Sequence, residues 1–375
     1  MDRKSLVATV VIVVLVLSLI ITPSLVVRTS SKVCLNLRDE ARNHITVTLE
    51  VYKNGELVRR KVGDPISDQW LNLIANYLLG MEAYQGISWK TEDGNVRSGW
   101  GSEYNEGNPV PKLAIGTGST AYTTDYALAN KVMETTLDSN YITVTDTGSE
   151  FNVTFTYTFI VDSACDISEA GLFIKNKYSN SDYGWVLIAH DTFTPVSLQA
   201  NDGITIKYSF IIDYSSPPFL KTFWELLLDY FMGLRGAGCS VGFTRLDFGY
   251  DYYCPYSDFD EVKEKLCIAY ALEDVAWSPT LNPAPSVSDK WGLRKIVALT
   301  CSDQKISLDA IAIQSNSQST YTVYGLVFYL YSDSKTSDSK SSTYVPIAYI
   351  KFDSPVSVDC TKFFDVNLTI TFNQG

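Results

Sequence analysis

Apolar and polar residues alternate with a period of two along much of this chain, and the departures from that pattern mark its other elements. The first departure is N-terminal. After Met1-Asp2-Arg3-Lys4, an uncharged Val/Leu/Ile-rich run extends from Ser5 to Val27, with Ser5, Thr9, Ser18, Thr22 and Ser24 as its polar side chains. At about 1.5 Å per helical residue, such a run is long enough to cross a bilayer. Residues 1–27 therefore read as a retained transmembrane anchor, with Pro23 near the far end. The alternatives are a cleaved signal and a pilin-like leader cut near Lys4-Ser5. A cleaved signal has a shorter apolar region and a small-x-small site, and no Ala-x-Ala site follows here. Residues 28–43 are polar and mixed in charge, and read as a stalk.

From His44 the alternation becomes regular. Ile45, Val47, Leu49 and Val51 share one face of a strand over 44–53. Asn54-Gly55 is a hairpin turn, because both residues tolerate positive φ. The chain returns through Glu56–Lys61 as the partner strand. Asp64 and Pro65 supply an N-cap and a first helical residue. Ile66, Trp70, Leu73, Ile74 and Tyr77 then recur at helical spacing, and Gly80 closes the helix. Residues 81–111, rich in Gly, Asn, Ser and Glu, read as a long surface loop. Further strands are predicted at Lys112–Ile115, Glu150–Val161, Ala170–Lys175, Trp185–His190 and Ile204–Ile212, with Asn201-Asp202-Gly203 as the turn before the last. A second helix is predicted over 219–232. It is apolar nearly all round (Phe219, Leu220, Phe223, Trp224, Leu226, Leu227, Leu228, Phe231), which suits a domain junction or a subunit contact.

The same order of features occurs twice. Leu73-Ile-Ala-Asn-Tyr-Leu-Leu-Gly80 matches Leu226-Leu-Leu-Asp-Tyr-Phe-Met-Gly233, and Lys112–Gly116 matches Arg245–Gly249. Thr124-Asp125-Tyr126 matches Ser257-Asp258-Phe259, and Ala170–Ile174 matches Tyr324–Phe328. Leu187-Ile-Ala189 matches Pro346-Ile-Ala348, and Ile204–Phe210 matches Val366–Phe372. The fold class is thus mainly β. An N-terminal transmembrane helix precedes two tandem homologous β-sandwich, jelly-roll-like domains over 44–214 and 217–375. Each domain has one helix near its start. The join at Ser215–Pro218 is short, so the domains are expected to pack together.

Composition narrows the function. The chain has 375 residues, a formal net charge of −12, 24 tyrosines and two histidines. The acidic balance argues against a nucleic-acid partner, which needs a clustered basic face. Two histidines leave little for His-based metal sites or Ser-His-Asp chemistry. His190-Asp191 is the one histidine–carboxylate neighbour pair, and no strained Gly-x-Ser-x-Gly turn supplies a nucleophile, so it reads as a strand-end polar pair. Gly116-Thr-Gly-Ser119 resembles a phosphate cradle but lacks the P-loop lysine, so it reads as a tight turn. Glu92-Asp93-Gly94-Asn95, Ser181-Asp182 and Asn201-Asp202 lack EF-hand spacing and read as solvated turns. No catalytic residue, cofactor or metal site is assigned.

Seven cysteines include Cys239, Cys254, Cys267, Cys301 and Cys360 in the second repeat. In an oxidising compartment these are candidates for one or two disulfides, with connectivity open. There is no Cys-x-x-Cys pair to suggest zinc. Asn152-Val-Thr154 and Asn367-Leu-Thr369 fit the N-glycosylation pattern on polar strand faces. Tyr250, Tyr252, Tyr253 and Tyr256 lie in a tyrosine-rich stretch that reads first as half-buried edge aromatics, with an aromatic binding surface for a glycan or protein as the alternative. Arg28, Lys32, Arg38 and Arg42 follow the apolar run, so charge alone would orient it the other way. The Tyr/Thr/Ser-rich strands and the sequons favour an extracytoplasmic location for the bulk of the chain.

Lys112-Leu-Ala-Ile-Gly-Thr-Gly-Ser-Thr-Ala121, Asp125-Tyr-Ala-Leu128, Ser168-Glu-Ala-Gly-Leu-Phe173 and Gly203-Ile-Thr-Ile206 resemble a β-sandwich domain of phage virion and tail-fibre proteins. Tyr52-Lys-Asn-Gly-Glu-Leu-Val58 with Gly63-Asp-Pro65 resembles surface or virion proteins of hyperthermophilic archaea and their viruses. The resemblance implies an assembly or attachment role and carries over no catalytic residue. The expectation is a non-enzymatic structural or adhesive subunit of a surface filament, envelope or virion, self-associating and held at the membrane by its N-terminal helix. The alternative is a monomeric carbohydrate- or receptor-binding module.

Overall fold

The computed structural model describes residues 31–35, 45–63, 66–79, 87–98, 109–177, 183–241, 266–280, 292–302, 305–314, 320–336, 339–358 and 362–371. The apolar run Ser5–Val27 lies outside them. Among the described residues no helix is long and apolar enough to cross a membrane. The protein is mainly β, with several sheets and, among the described residues, two α-helices.

The first strand, β1 (Ser31–Leu35), belongs to the second half of the molecule. The first half begins with β2 (Ile45–Lys53) and β3 (Glu56–Val62), joined by the expected turn, with Asn54 at φ 47° and Gly55 at φ 87°. Helix α1 (Asp68–Leu79) follows. It starts later than the sequence suggests. Ser67 is its cap, accepting from the Gln69 N–H at 3.1 Å through Oγ, while its carbonyl accepts from Trp70 and Leu71. Trp70, Leu71, Leu73, Ile74 and Ala75 are buried, as the helical spacing required. Asp64, Pro65 and Gly80 lie outside the described residues.

The predicted loop over 81–111 contains a hairpin, β4 (Ser88–Lys90) and β5 (Val96–Ser98), anchored by the buried Trp89. Next come β6 (Pro111–Gly116), β7 (Lys131–Thr136), β8 (Ile142–Asp146) and β9 (Glu150–Ile160). β10 (Cys165–Lys177), β11 (Tyr183–Leu198) and β12 (Gly203–Asp213) complete the first half. One sheet has the order β3-β2-β12-β9-β8 and the other β11-β10-β6-β7. Inward residues of both enter one core, and the Tyr208 hydroxyl on β12 donates to the Ala170 carbonyl on β10 at 3.0 Å. The outer face of the five-stranded sheet is polar and cross-linked by hydroxyl pairs, Thr154 with Ser209 and Thr158 with Thr205. The four-stranded sheet is covered on its far face too, where Ala114, Leu128, Phe173 and Leu187 form a second cluster. Burial on both faces explains why β6 and β10 read as continuous apolar runs rather than alternating ones.

Helix α2 (Lys221–Leu226) runs on into a π-helical turn over Leu227–Phe231, all of it buried. The second half comprises β13 (Leu266–Ala271), β14 (Gly292–Ser302), β15 (Lys305–Gln314), β16 (Tyr321–Thr336), β17 (Ser339–Val358) and β18 (Lys362–Thr371). Its sheets are β1-β18-β15-β14 and β13-β16-β17. Part of the expected stalk is therefore a strand: Ser31–Leu35 pairs in parallel with Lys362–Val366.

The two halves share a set of backbone contacts. Ile66 bridges to Ala189 before α1, and Phe219 bridges to Ala348 before α2. The Ser67 N–H donates to the Ile188 carbonyl at 2.8 Å, and the Leu220 N–H to the Ile347 carbonyl at 2.9 Å. Both hairpins, β10–β11 and β16–β17, carry two register shifts at corresponding places. Two pairings read from sequence need correction. The register aligns Gly325 with Glu169, so Gly171 faces Val327 in the alignment. The strand that pairs with β16 as β6 pairs with β10 is Leu266–Ala271, and Arg245–Gly249 lies outside the described residues. One buried cluster runs from Ile45 through both helices to Phe352, so the two halves share a core. Trp70 of α1 donates its indole N–H to the Phe231 carbonyl at the end of the π-turn, at 2.7 Å.

Candidate functional site

The four segments around Gly116, Asp125, Glu169 and His190 meet behind the four-stranded sheet. Glu169 on β10 and His190 on β11 are buried side by side, with His190 Nε2 3.1 Å from Glu169 Oε2. His190 Nδ1 lies 2.8 Å from Asp125 Oδ2, so each ring nitrogen faces a carboxylate. Glu169 also accepts the Ala129 N–H at 3.0 Å and the Asn130 N–H at 2.8 Å, and the Gly118 N–H as well. Burial acts to raise the pKa of Glu169. The His190 bond and the three backbone donors outweigh it and hold the carboxyl below its ordinary value.

This geometry explains Gly116-Thr-Gly118. A Cβ at either glycine would collide with the Glu169 carboxylate. The loop does cradle an anion, and the anion is a side chain of the same protein. Ser168 Oγ donates to the Gly118 carbonyl at 2.6 Å and fixes the loop from the other side. Asp125 extends the cluster to α1. Its carbonyl accepts from Ser67 Oγ at 2.9 Å, and its carboxylate accepts the Tyr122 N–H at 2.8 Å. The cluster is thus a latch joining two strands, a glycine turn, the 122–126 loop and the helix cap.

His190-Asp191 does not stand at a strand end. β11 continues to Leu198, and the two neighbours point to opposite faces. Asp191 is buried and pairs with Lys61 of β3 at 2.6 Å, tying the edge of the other sheet to β11. A second ionic group lies at the β4–β5 turn. Lys112 Nζ is buried between Glu92 at 2.5 Å and Glu134 at 2.8 Å, and Lys131 bonds the same two acids at 2.7 and 2.6 Å. The Lys112 ammonium also lies 4.7 Å from the Phe173 ring centroid and 4.4 Å from that of Trp185. These cations hold Glu134 below its usual pKa against the opposing effect of burial.

The acidic turns are internally bonded. Asp93 accepts from Thr91 and from Asn95. Asp202 bonds Asn54 Nδ2 at 3.0 Å and the Gln199 N–H at 2.8 Å, which holds its pKa at about 2. Among the described residues no group of three His, Cys, Asp or Glu side chains could hold a metal ion.

In the second repeat the latch is rebuilt without charge. Gly325 stands at the position of Glu169 and Tyr349 at that of His190. A Cβ on Gly325 would run into the Ile350 carbonyl and the Tyr349 ring, so the tyrosine occupies the space of the missing acid. Its hydroxyl donates to the Val275 carbonyl at 3.2 Å.

The remaining sequence candidates fall as follows. Asn152 is half-buried in β9, between Thr145 and Ile211. Asn367 stands in β18 opposite Asp309. Cys239 is a half-buried free thiol whose pKa is raised by burial, and Cys165 is free as well. Cys267 and Cys301 are placed by backbone in β13 and β14. Cys254, Cys360, Tyr250, Tyr252, Tyr253 and Tyr256 lie outside the described residues, as do Ser181 and Asp182.

Sequence reasoning missed Glu169 and Asp125 as partners of His190. The available signal was an acid inside an otherwise apolar strand, with two glycines one strand upstream. No protein-family model matches this chain, and neither a curated protein nor a solved structure matches it.

Proposed function

We propose that this protein is a non-enzymatic, extracytoplasmic structural subunit of a surface filament, envelope or virion. The observation that carries the reading is the use made of its buried charge. Lys112, Glu169, His190, Asp191 and Asp229 are the buried acidic and basic side chains among the described residues, and each bonds another part of the same chain. Such latches fix loops to sheets and leave both nitrogens of His190 committed to carboxylates. That arrangement suits a rigid building block. The shared core and the hydroxyl-rich outer face of the five-stranded sheet support it further. The apolar N-terminal run and the two sequons motivate the extracytoplasmic part, and the acidic balance suits a solvated surface.

Sedimentation of the purified full chain tests the reading. Concentration-dependent oligomers or filaments are expected. A strict monomer at all concentrations would overturn it in favour of a binding module.

A further inference from the structure

The two repeats differ most at one sheet edge. In the first, the last strand β12 lies between β9 and β2, and β2 belongs to the hairpin that precedes α1. The second repeat has no such hairpin, because the chain leaves β12 at Asp213 and enters α2 at Lys221. Its last strand, β18, is paired with β15 on one side. On the other side, where β2 would stand, it is paired with β1. That strand comes from ahead of the first repeat and runs parallel to β18, whereas β2 runs antiparallel to β12.

We propose that this place beside β18 is an acceptor slot for a second copy of the chain, with Ser31–Leu35 of one copy adding to β18 of the next. The proposal rests on the reading of the protein as an assembly subunit. Three features carry it. The slot is a vacancy in the repeat plan, and an unfilled β18 edge would present a row of unpaired backbone groups. Its occupant is a segment of this same chain, so a second copy supplies a matching strand. Finally, no hairpin turn joins β1 to β18. The strand is tethered to the first repeat through residues 36–44, and no local turn dictates which copy it completes. Pairing within a chain and between chains makes the same backbone hydrogen bonds, which is the condition for exchange of an identical element. A strand given in one direction and received in another is a heterologous contact, and such contacts run on as open filaments wherever the rotation between copies does not close a ring.

The register supplies the test, because Cys34 stands opposite Asp365. Full-length chain carrying Asp365→Cys is prepared isotope-labelled and unlabelled, mixed unfolded, assembled together and cross-linked with a short bismaleimide. The peptide joining positions 34 and 365 is then read by mass spectrometry. Mixed-isotope and same-isotope peptides in comparable amounts are expected. Same-isotope peptide alone in assembled material would overturn the exchange while leaving the assembly reading intact. Absence of the cross-link in assembled material would overturn the slot itself. Failure to assemble, seen in parallel with the unsubstituted chain, would overturn both. The pair Leu35→Cys with Val366→Cys, one register position on, serves if Asp365→Cys does not fold.

Discussion

Glu169 shows how one side chain organises a region. A carboxylate inside a packed sheet is costly unless its oxygens are bonded, and here His190 and three backbone N–H groups bond them. Glu169→Gln keeps the shape but converts one acceptor into a donor facing other donors. It is expected to lower unfolding stability by about 2–4 kcal/mol, measured by chemical denaturation. The pH dependence carries a second signature. The folded-state pKa of Glu169 lies below the unfolded one, so its contribution is complete above the usual carboxylate range and is lost as pH falls through the lowered value. Glu169→Gln should therefore flatten part of the acid limb of the stability profile. An unchanged acid limb would show that Glu169 is not the group being protonated. The sequence hinted at this site through Gly116-Thr-Gly118. It could not reveal that the cradled anion sits on β10, since only the strand register brings the two together.

Among elements, legibility followed exposure. β2, β9 and β12 have one wet and one dry face, and their alternation placed them to within a residue or two. β7 and β8 are short, mostly exposed edge strands with little apolar pattern, and they were missed. β4 and β5 were hidden in a polar loop because a single residue, Trp89, anchors them. Nothing local marks β1 as a strand, because its partner lies at the other end of the chain. The matched order of features along the two halves is visible in the sequence, but the strand register is not. Glu169 and Gly325 each stand directly after the first register shift of their hairpin, which aligns Gly325 with Glu169, whereas the residue types alone align Gly325 with Gly171. The exchange of an acid–histidine pair for a glycine–tyrosine pair gives a direct check. Gly325→Ala should be destabilising by about 1–3 kcal/mol, since the new methyl meets backbone that cannot move aside. A neutral result in denaturant titration would mean that Tyr349 does not fill that space.

At the scale of the molecule, one core spans both repeats and the two helices meet within it. The described surface adds a hydroxyl-rich sheet face, and the described interior adds charge held in latches. The mainly β class is legible in alternation and turns, whereas the sharing of the core depends on which faces of α1 and α2 meet, which no local pattern encodes. The proposed role puts the chain in a surface structure outside the membrane. Antibody labelling of intact cells and released particles under the electron microscope tests it most directly. The account predicts label on the outer surface, repeated along filaments or over particles, without permeabilisation. Label that appears only after membranes are opened would contradict it.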